Sequence, residues 1–240
     1  MFRLVKFLSL FGLLTVSCLS LSALAADSAP EINGPTGLVR IPSADIVPYK
    51  NSNVGVSYGS VVNSSGQASS EGTINYLLNL GAYQGLEVGI VGGTNPATNQ
   101  PREGVFVNAK LSLPAGDEPD ALRLALGVEN LFSYTQSDVY MVATKHLNLG
   151  PKLTFGFMGD FPNNGFRALG VLGLEAGISN NLFLLADMMA GQNLTQFNGG
   201  LRFYFTPSFA LNLSGLNLFN GSQVKDEREA LIGISLMNPF

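Results

Sequence analysis

The sequence predicts an all-β protein: a transmembrane, antiparallel, up-and-down β-barrel of about 12 strands. Three observations carry this expectation. A leader with a basic start and small residues at its end directs the chain out of the cytoplasm. No second apolar run reaches the ~18 residues that a membrane helix needs. Stretch after stretch of the remainder alternates apolar and polar residues with a period of two, the period of a strand.

The leader spans residues 1–25. Arg3 and Lys6 precede an apolar stretch, and Ala23 and Ala25 supply the small residues before a cleavage point, the three-part layout of a secretory signal peptide. A retained membrane anchor is the alternative. Cys18 belongs to this leader, so the mature chain has no thiol for a disulfide or a thiolate metal site. No cofactor is expected. Loss of Arg3 and Lys6 takes the net charge from −4 to −6, since the leader has no acid, and this speaks against a nucleic-acid partner.

Residues 26–53 form a lead-in. Pro30, Pro35, Pro42 and Pro48 are too many for a central strand. Three readings stay open: a plug folded into the barrel, a short extra strand, or an ordered periplasmic lead-in.

The barrel is expected over 54–240. Its strands fall near 54–61, 72–80, 85–93, 103–113, 121–129, 138–147, 152–159, 168–178, 181–189, 196–205, 208–216 and 229–238. In ALRLALGVEN, Leu122, Leu124, Leu126 and Val128 oppose Arg123, Ala125, Gly127 and Glu129. In KLTFGFMGD, Leu153, Phe155 and Phe157 oppose Thr154, Gly156, Met158 and Asp160. In QFNGGLRFYF, Phe197, Leu201, Phe203 and Phe205 oppose Asn198, Gly200, Arg202 and Tyr204. An even strand number brings both ends of the barrel to one side.

The connections add a second pattern. The odd-numbered ones, such as VNSSGQASSE, TNPATNQPR and NLFNGSQVKDER, are on the whole longer than the even ones, GAYQ, PAGDEPD, NLGP, SN and TP, of which PAGDEPD is the one longer member. Short periplasmic turns and long outer loops are a feature of outer-membrane barrels. Gly66 and Ser222 are therefore expected outside and Asp117 inside. The last strand ends ALIGISLMNPF. Ile232, Ile234, Leu236 and the terminal Phe240 share one parity, which resembles the C-terminal assembly signal of outer-membrane β-barrel proteins; Asn238 and Pro239 depart from it. That resemblance implies the barrel-assembly machinery as a partner.

With the apolar parity toward lipid, the other faces the lumen. It carries Glu87, Lys110, Arg123, Glu175, Asp187 and Arg202, acids and bases in equal number, with Asn75, Asn79, Asn108, Asn198 and Asn212. These charges either pair across the interior and tie it shut or tune a polar pore. Glycines such as Gly89, Gly127, Gly156, Gly170 and Gly200 mostly share this face.

A catalytic reading has little to stand on. His146 is the single histidine, expected inward at the periplasmic end of its strand, and no GxSxG elbow is present. Glu175 and Asp187 lie on neighbouring strands and could form a glycosidase pair only at a suitable separation. The acids of GDEPD lack the ligand spacing of a calcium loop, so no metal is expected. The mixed-charge loop GSQVKDERE reads as exposed, with lipopolysaccharide and its cations as its neighbours.

The stretch GPTGLVRIPSADI resembles the opening of YjbH-type outer-membrane proteins associated with exopolysaccharide production, with Gly37, Leu38, Pro42, Ser43 and Ala44 at the matching positions. This chain is much shorter than the large members of that family and corresponds to a single barrel module. The resemblance implies the cell outer membrane of a Gram-negative-type bacterium, surrounded by outer-membrane lipid and lipopolysaccharide. It also implies surface polysaccharide or export-complex proteins as partners. The expected function is a porin-like narrow pore, or an accessory to exopolysaccharide export or assembly. The alternatives are a closed scaffold barrel and a membrane-embedded hydrolase of lipid or glycan.

Overall fold

The computed structural model describes residues 29–62, 68–95, 100–113, 121–133, 136–147, 150–162, 165–191, 194–219 and 228–238. Each expected strand is present: β1 (Ser52–Val62), β2 (Ala68–Tyr83), β3 (Leu86–Asn95), β4 (Gln100–Leu113), β5 (Arg123–Leu131) and β6 (Gln136–His146). They continue with β7 (Lys152–Pro162), β8 (Arg167–Gly177), β9 (Leu182–Gly191), β10 (Leu194–Thr206), β11 (Phe209–Leu216) and β12 (Arg228–Met237). Each strand pairs antiparallel with its sequence neighbours, and β1 pairs with β12 to close the ring.

Closure follows from the medium. Lipid offers the backbone no hydrogen-bond partner, so an open sheet edge cannot lie in it. At the seam, Val54, Val56 and Tyr58 stand opposite Leu236, Ile234 and Ile232. The alternating end of the chain is therefore the last stave of the wall. Phe240 and the leader lie outside the described residues, as do Gly66, Asp117 and Ser222.

The outer face is apolar. Val56, Ile74, Ile90, Leu124, Leu126, Val139, Phe155, Phe157, Leu172, Ile232 and Ile234 are all exposed. Asn79, Glu87, Asn108, Lys110, Asp187, Asn198 and Arg202, on the other parity, are buried in the interior. Apolar outside and polar inside is the arrangement of a membrane barrel.

Two expectations need correction. Strands β2 and β4 begin at Ala68 and Gln100, inside stretches expected to be outer loop. Hairpin pairing can continue through Ser, Thr and Asn beyond the membrane, because the ladder itself satisfies the backbone. The length difference between odd and even connections shrinks accordingly, and 217–227 stays the longest odd one. Gly170 is the second case. It lies between the buried, inward Leu169 and Val171 and is exposed, so it belongs to the outer face.

Phe157, 69% exposed near the middle of β7, gives a direct test of the outer face. Phe157→Arg is expected to cost roughly 2–4 kcal/mol of folding free energy in a bilayer, as for a cation near the midplane. Phe157→Leu should cost under about 1.5 kcal/mol. Reversible denaturant titration in vesicles measures both.

Candidate functional site

The lumen is filled by the chain's own residues 29–51. This segment enters beside the start of β1, rises through the barrel and returns. Pro30 bridges Thr36, and Gly37 bridges Pro42. Internal bonds hold the fold-back: Glu31 N–H donates to Pro35 O at 2.8 Å, Ile32 N–H to Val39 O at 3.1 Å, and Ser43 N–H to Thr36 O at 3.0 Å. Gly34, at φ 118°, makes the turn beneath Asn108. A Cβ on Gly37 would meet Pro42 Cα at 2.9 Å, so only glycine lets the two limbs approach.

Backbone groups taken into a lumen lose water and need replacements. The wall charges supply them. Asp187 Oδ2 accepts N–H bonds from Val39 at 2.9 Å, Arg40 at 2.8 Å and Ile41 at 3.4 Å, while Oδ1 accepts from Asn198 at 2.7 Å. Successive N–H groups converging on a carboxylate form an anion-binding nest. Glu87 accepts from Thr36 N–H at 2.8 Å, Thr36 Oγ1 at 2.5 Å and Val47 N–H at 2.8 Å.

Cations take the carbonyls. Lys110 Nζ donates to Thr36 O at 2.8 Å and lies 3.6 Å from Glu87. Arg202 Nη2 donates to Leu38 O at 3.2 Å and Gly37 O at 3.4 Å. The amides of Asn79 and Asn108 donate to Gly34 O at 2.5 Å and Asn33 O at 2.8 Å. Ala44 N–H is received by Thr144 Oγ1 at 2.8 Å.

A second cluster lies at the end of the barrel where β1 begins. Asp45 meets Arg123 at 2.9 Å, His146 at 3.3 Å and Lys152 at 3.3 Å. Lys152 and Arg202 both hold Glu175, at 3.2 and 3.4 Å. Burial alone would raise the Asp45 carboxyl. Lys152 first, then His146 and Arg123, outweigh it and hold that carboxyl well below its ordinary range.

All six charges read from the sequence thus face the interior and meet in this one assembly. Glu87, Lys110, Asp187 and Arg202 hold the segment's backbone, Arg123 holds its Asp45 side chain, and Glu175 braces Lys152 and Arg202. The motif residues Gly37, Leu38, Pro42, Ser43 and Ala44 form the turn that the wall grips. Leu38, Ile41 and Ala44 pack with Tyr140, Met158, Leu169 and Val171 in a dry core. Gly173 makes room there, since a Cβ on it would meet Leu38 and Ile41 at 2.8 Å.

The six did not exhaust the lumen. Glu129, Asp138 and Asp160 stand directly opposite one another across β5, β6 and β7, and Arg167 of β8 ion-pairs with Asp160. Glu129 and Asp160 continue the inward parity of Gly127 and Met158, a signal that would have found them. Lys152 and the segment's own Glu31, Arg40 and Asp45 belong to the lumen as well, as does Glu229 of β12 beside Gly59. Acids therefore outnumber bases in the interior, against the equal count expected.

Small spaces border the segment. One of about 50 Å³ lies between Glu31, Val39, Leu77, Arg202 and β12. One of about 110 Å³ lies between Asn33, Arg40, Asp138, Asp160 and Arg167. Each holds a few waters at most. His146 bonds the Asp45 carboxylate, and among the described residues no hydroxyl is bonded to His146. Glu175 and Asp187 are both committed to cations or N–H groups.

No protein family and no curated protein matches the chain. Solved structures do. A KdgM porin aligns with a TM-score of 0.56 at 6% identity, covering 77% of this chain and 98% of that one. A NanC porin gives 0.56 at 13% identity over 76% and 98%. The COG4313 outer membrane channel from Pseudomonas putida F1 gives 0.53 at 12% over 80% and 97%. At these identities the likeness is one of fold: this chain has the closed, transmembrane barrel of outer-membrane porins and channels.

Proposed function

We propose that the protein is an outer-membrane pore held closed by its own N-terminal segment, working in the export or assembly of a surface polysaccharide. The observation that carries the reading is the filled lumen: residues 29–51 take their hydrogen bonds from the charges that would otherwise line a channel. Porins and channels of the same fold support the pore. One of them, a KdgM porin, is in complex with disordered oligogalacturonate. The polysaccharide link rests on the resemblance of residues 37–44 to YjbH-type proteins, and those residues form the gripped turn. Partners on this reading are lipopolysaccharide around the barrel, the barrel-assembly machinery and export-complex proteins that engage the segment.

A closed scaffold is the second reading. The dry packing of Leu38, Ile41 and Ala44 against the wall favours it, because apolar burial resists release of the segment. No catalytic step belongs to either reading, so His146→Ala should leave any lipid or glycan turnover unchanged.

Asp187 separates pore from scaffold. Asp187→Ala removes the acceptor of the Val39, Arg40 and Ile41 amides, and each orphaned buried donor costs ~1–3 kcal/mol. Amide exchange at those residues should accelerate roughly tenfold to hundredfold. Asp187→Asn, which keeps an acceptor oxygen, should show less. In planar bilayers the full-length protein is expected to be silent most of the time and the Asp187→Ala variant to give stable conductance steps. A variant with accelerated exchange and continued silence would establish the scaffold.

A further inference from the structure

Glu31 has no role in the grip described above. It is 2% exposed, neither carboxyl oxygen makes a well-formed hydrogen bond among the described residues, and the nearby Asn33 backbone N–H together with Arg40 only partly offsets its burial. Its backbone N–H closes the turn to Pro35. The side chain lies between the limbs, near the atom position that a Cβ on Gly37 would take. The small cavity beside it is lined by β1, β2, β11 and β12 with Gly55, Ser57, Leu77, Asn212, Leu231 and Ser235, none of them charged.

The charged and titratable groups that act on it come from elsewhere. They are Glu129 of β5, Tyr140 of β6, Lys110 of β4, Asp187 of β9, and Arg40 of the segment itself. Arg202 of β10 also lines the cavity but is taken by Glu175, Asn212 and the carbonyls of Gly37 and Leu38. Lys110 is taken by Glu87 and the carbonyls of Thr36 and Ser43.

A buried charge without a partner is far costlier than the same group neutral. We propose that Glu31 is a proton-operated latch: the segment stays seated while this carboxyl is neutral, and its ionisation weakens the seating. The latch rests on the pore reading for its consequence, since release of the segment is what opens the lumen.

The direction follows from linkage. In the seated state burial, then the charge of Glu129, raises the Glu31 carboxyl well above its ordinary value of 4.5. In the released state it returns to that value. At low pH both states hold the proton, and Glu31 does not oppose seating. As pH climbs past the ordinary value the released state loses its proton first. The seated fraction then falls relative to the released one by up to about tenfold per pH unit for one proton. The loss continues until the raised value is reached. Through Glu31, seating therefore weakens as pH rises above the ordinary carboxyl range; below that range, protonation of Asp45, whose carboxyl the seated state holds well below its ordinary value, weakens it instead.

The test compares the full-length protein with Glu31→Gln, which keeps the shape and removes the titration. Amide exchange over residues 30–41, corrected for the intrinsic pH dependence of exchange, should show protection falling with rising pH in the wild type. It should stay higher and fall less steeply in Glu31→Gln, where Asp45 and Glu129, the latter bonded by Asn33 of the segment, still titrate. A wild-type profile independent of pH, or a variant that follows the wild type, overturns the latch. Carbon-13 titration of the Glu31 carboxyl in the wild type gives a check that needs no variant: an ordinary value overturns the proposal and a raised one supports it. Conductance is recorded in parallel. Protection lost with pH but without current keeps the latch and removes the pore. Current that appears equally at every pH, in wild type and Glu31→Gln alike, keeps the pore and removes the latch.

Discussion

Every backbone N–H and C=O that leaves water must find another partner, and this constraint organises the molecule twice. In the wall it forces closure, so β12 returns to β1 and no edge faces lipid. In the lumen it acts on a segment with four prolines that cannot form a regular ladder. Residues 29–51 bury irregular backbone, and irregular backbone at membrane depth persists only when buried in protein that satisfies it. The wall's carboxylates, ammonium, guanidinium and amides provide that satisfaction.

This gives the interior charges a different meaning from cross-lumen salt bridges. Glu87 and Lys110 lie 3.6 Å apart, yet their shorter contacts are to the segment, at 2.5–2.8 Å. Asp187 has no cation at all within ion-pairing distance among the described residues and is held by three amides and Asn198. A carboxylate bonded by several N–H groups is stabilised by directed dipoles. Such an arrangement specifies geometry: it fits one path of the chain. An apolar wall could hold the segment by burial alone but would leave its carbonyls and amides orphaned.

Much of this was legible in the sequence, and the limits have physical causes. The twelve strands were visible because lipid outside and polar groups inside impose a strict period of two on both faces. The inward orientation of Glu87, Lys110, Arg123, Glu175, Asp187 and Arg202 followed from the same parity. Strand ends were less clear, since at the membrane boundary the outer face turns polar and alternation fades. At the starts of β2 and β4 the chain reads as loop where the ladder continues, whereas Glu129 and Asp160 keep the inward parity of their strands. Leu169 and Val171 show a further limit: inward yet apolar, they break the pattern because they face Leu38 and Ile41 of the segment and not water. A sequence shows the parity of a strand but not what fills the barrel, so plug, extra strand and lead-in could not be told apart.

The two carboxyls of the segment divide its hold unequally. Asp45, on the returning limb, has Arg123, Lys152 and His146 around it, and this pays for burying its charge. Glu31, on the entering limb, is as deeply buried and has no cation in bonding contact among the described residues. Burial is thus offset on one limb and left as strain on the other. The returning limb is also continuous with β1 through Asn51, whose carbonyl receives Gly81 N–H at 2.9 Å. A change in protonation therefore acts on the limb with fewer ties to the wall, while the limb joined to the barrel keeps its anchor. Such an unequal hold lets a segment loosen without the wall losing its closure.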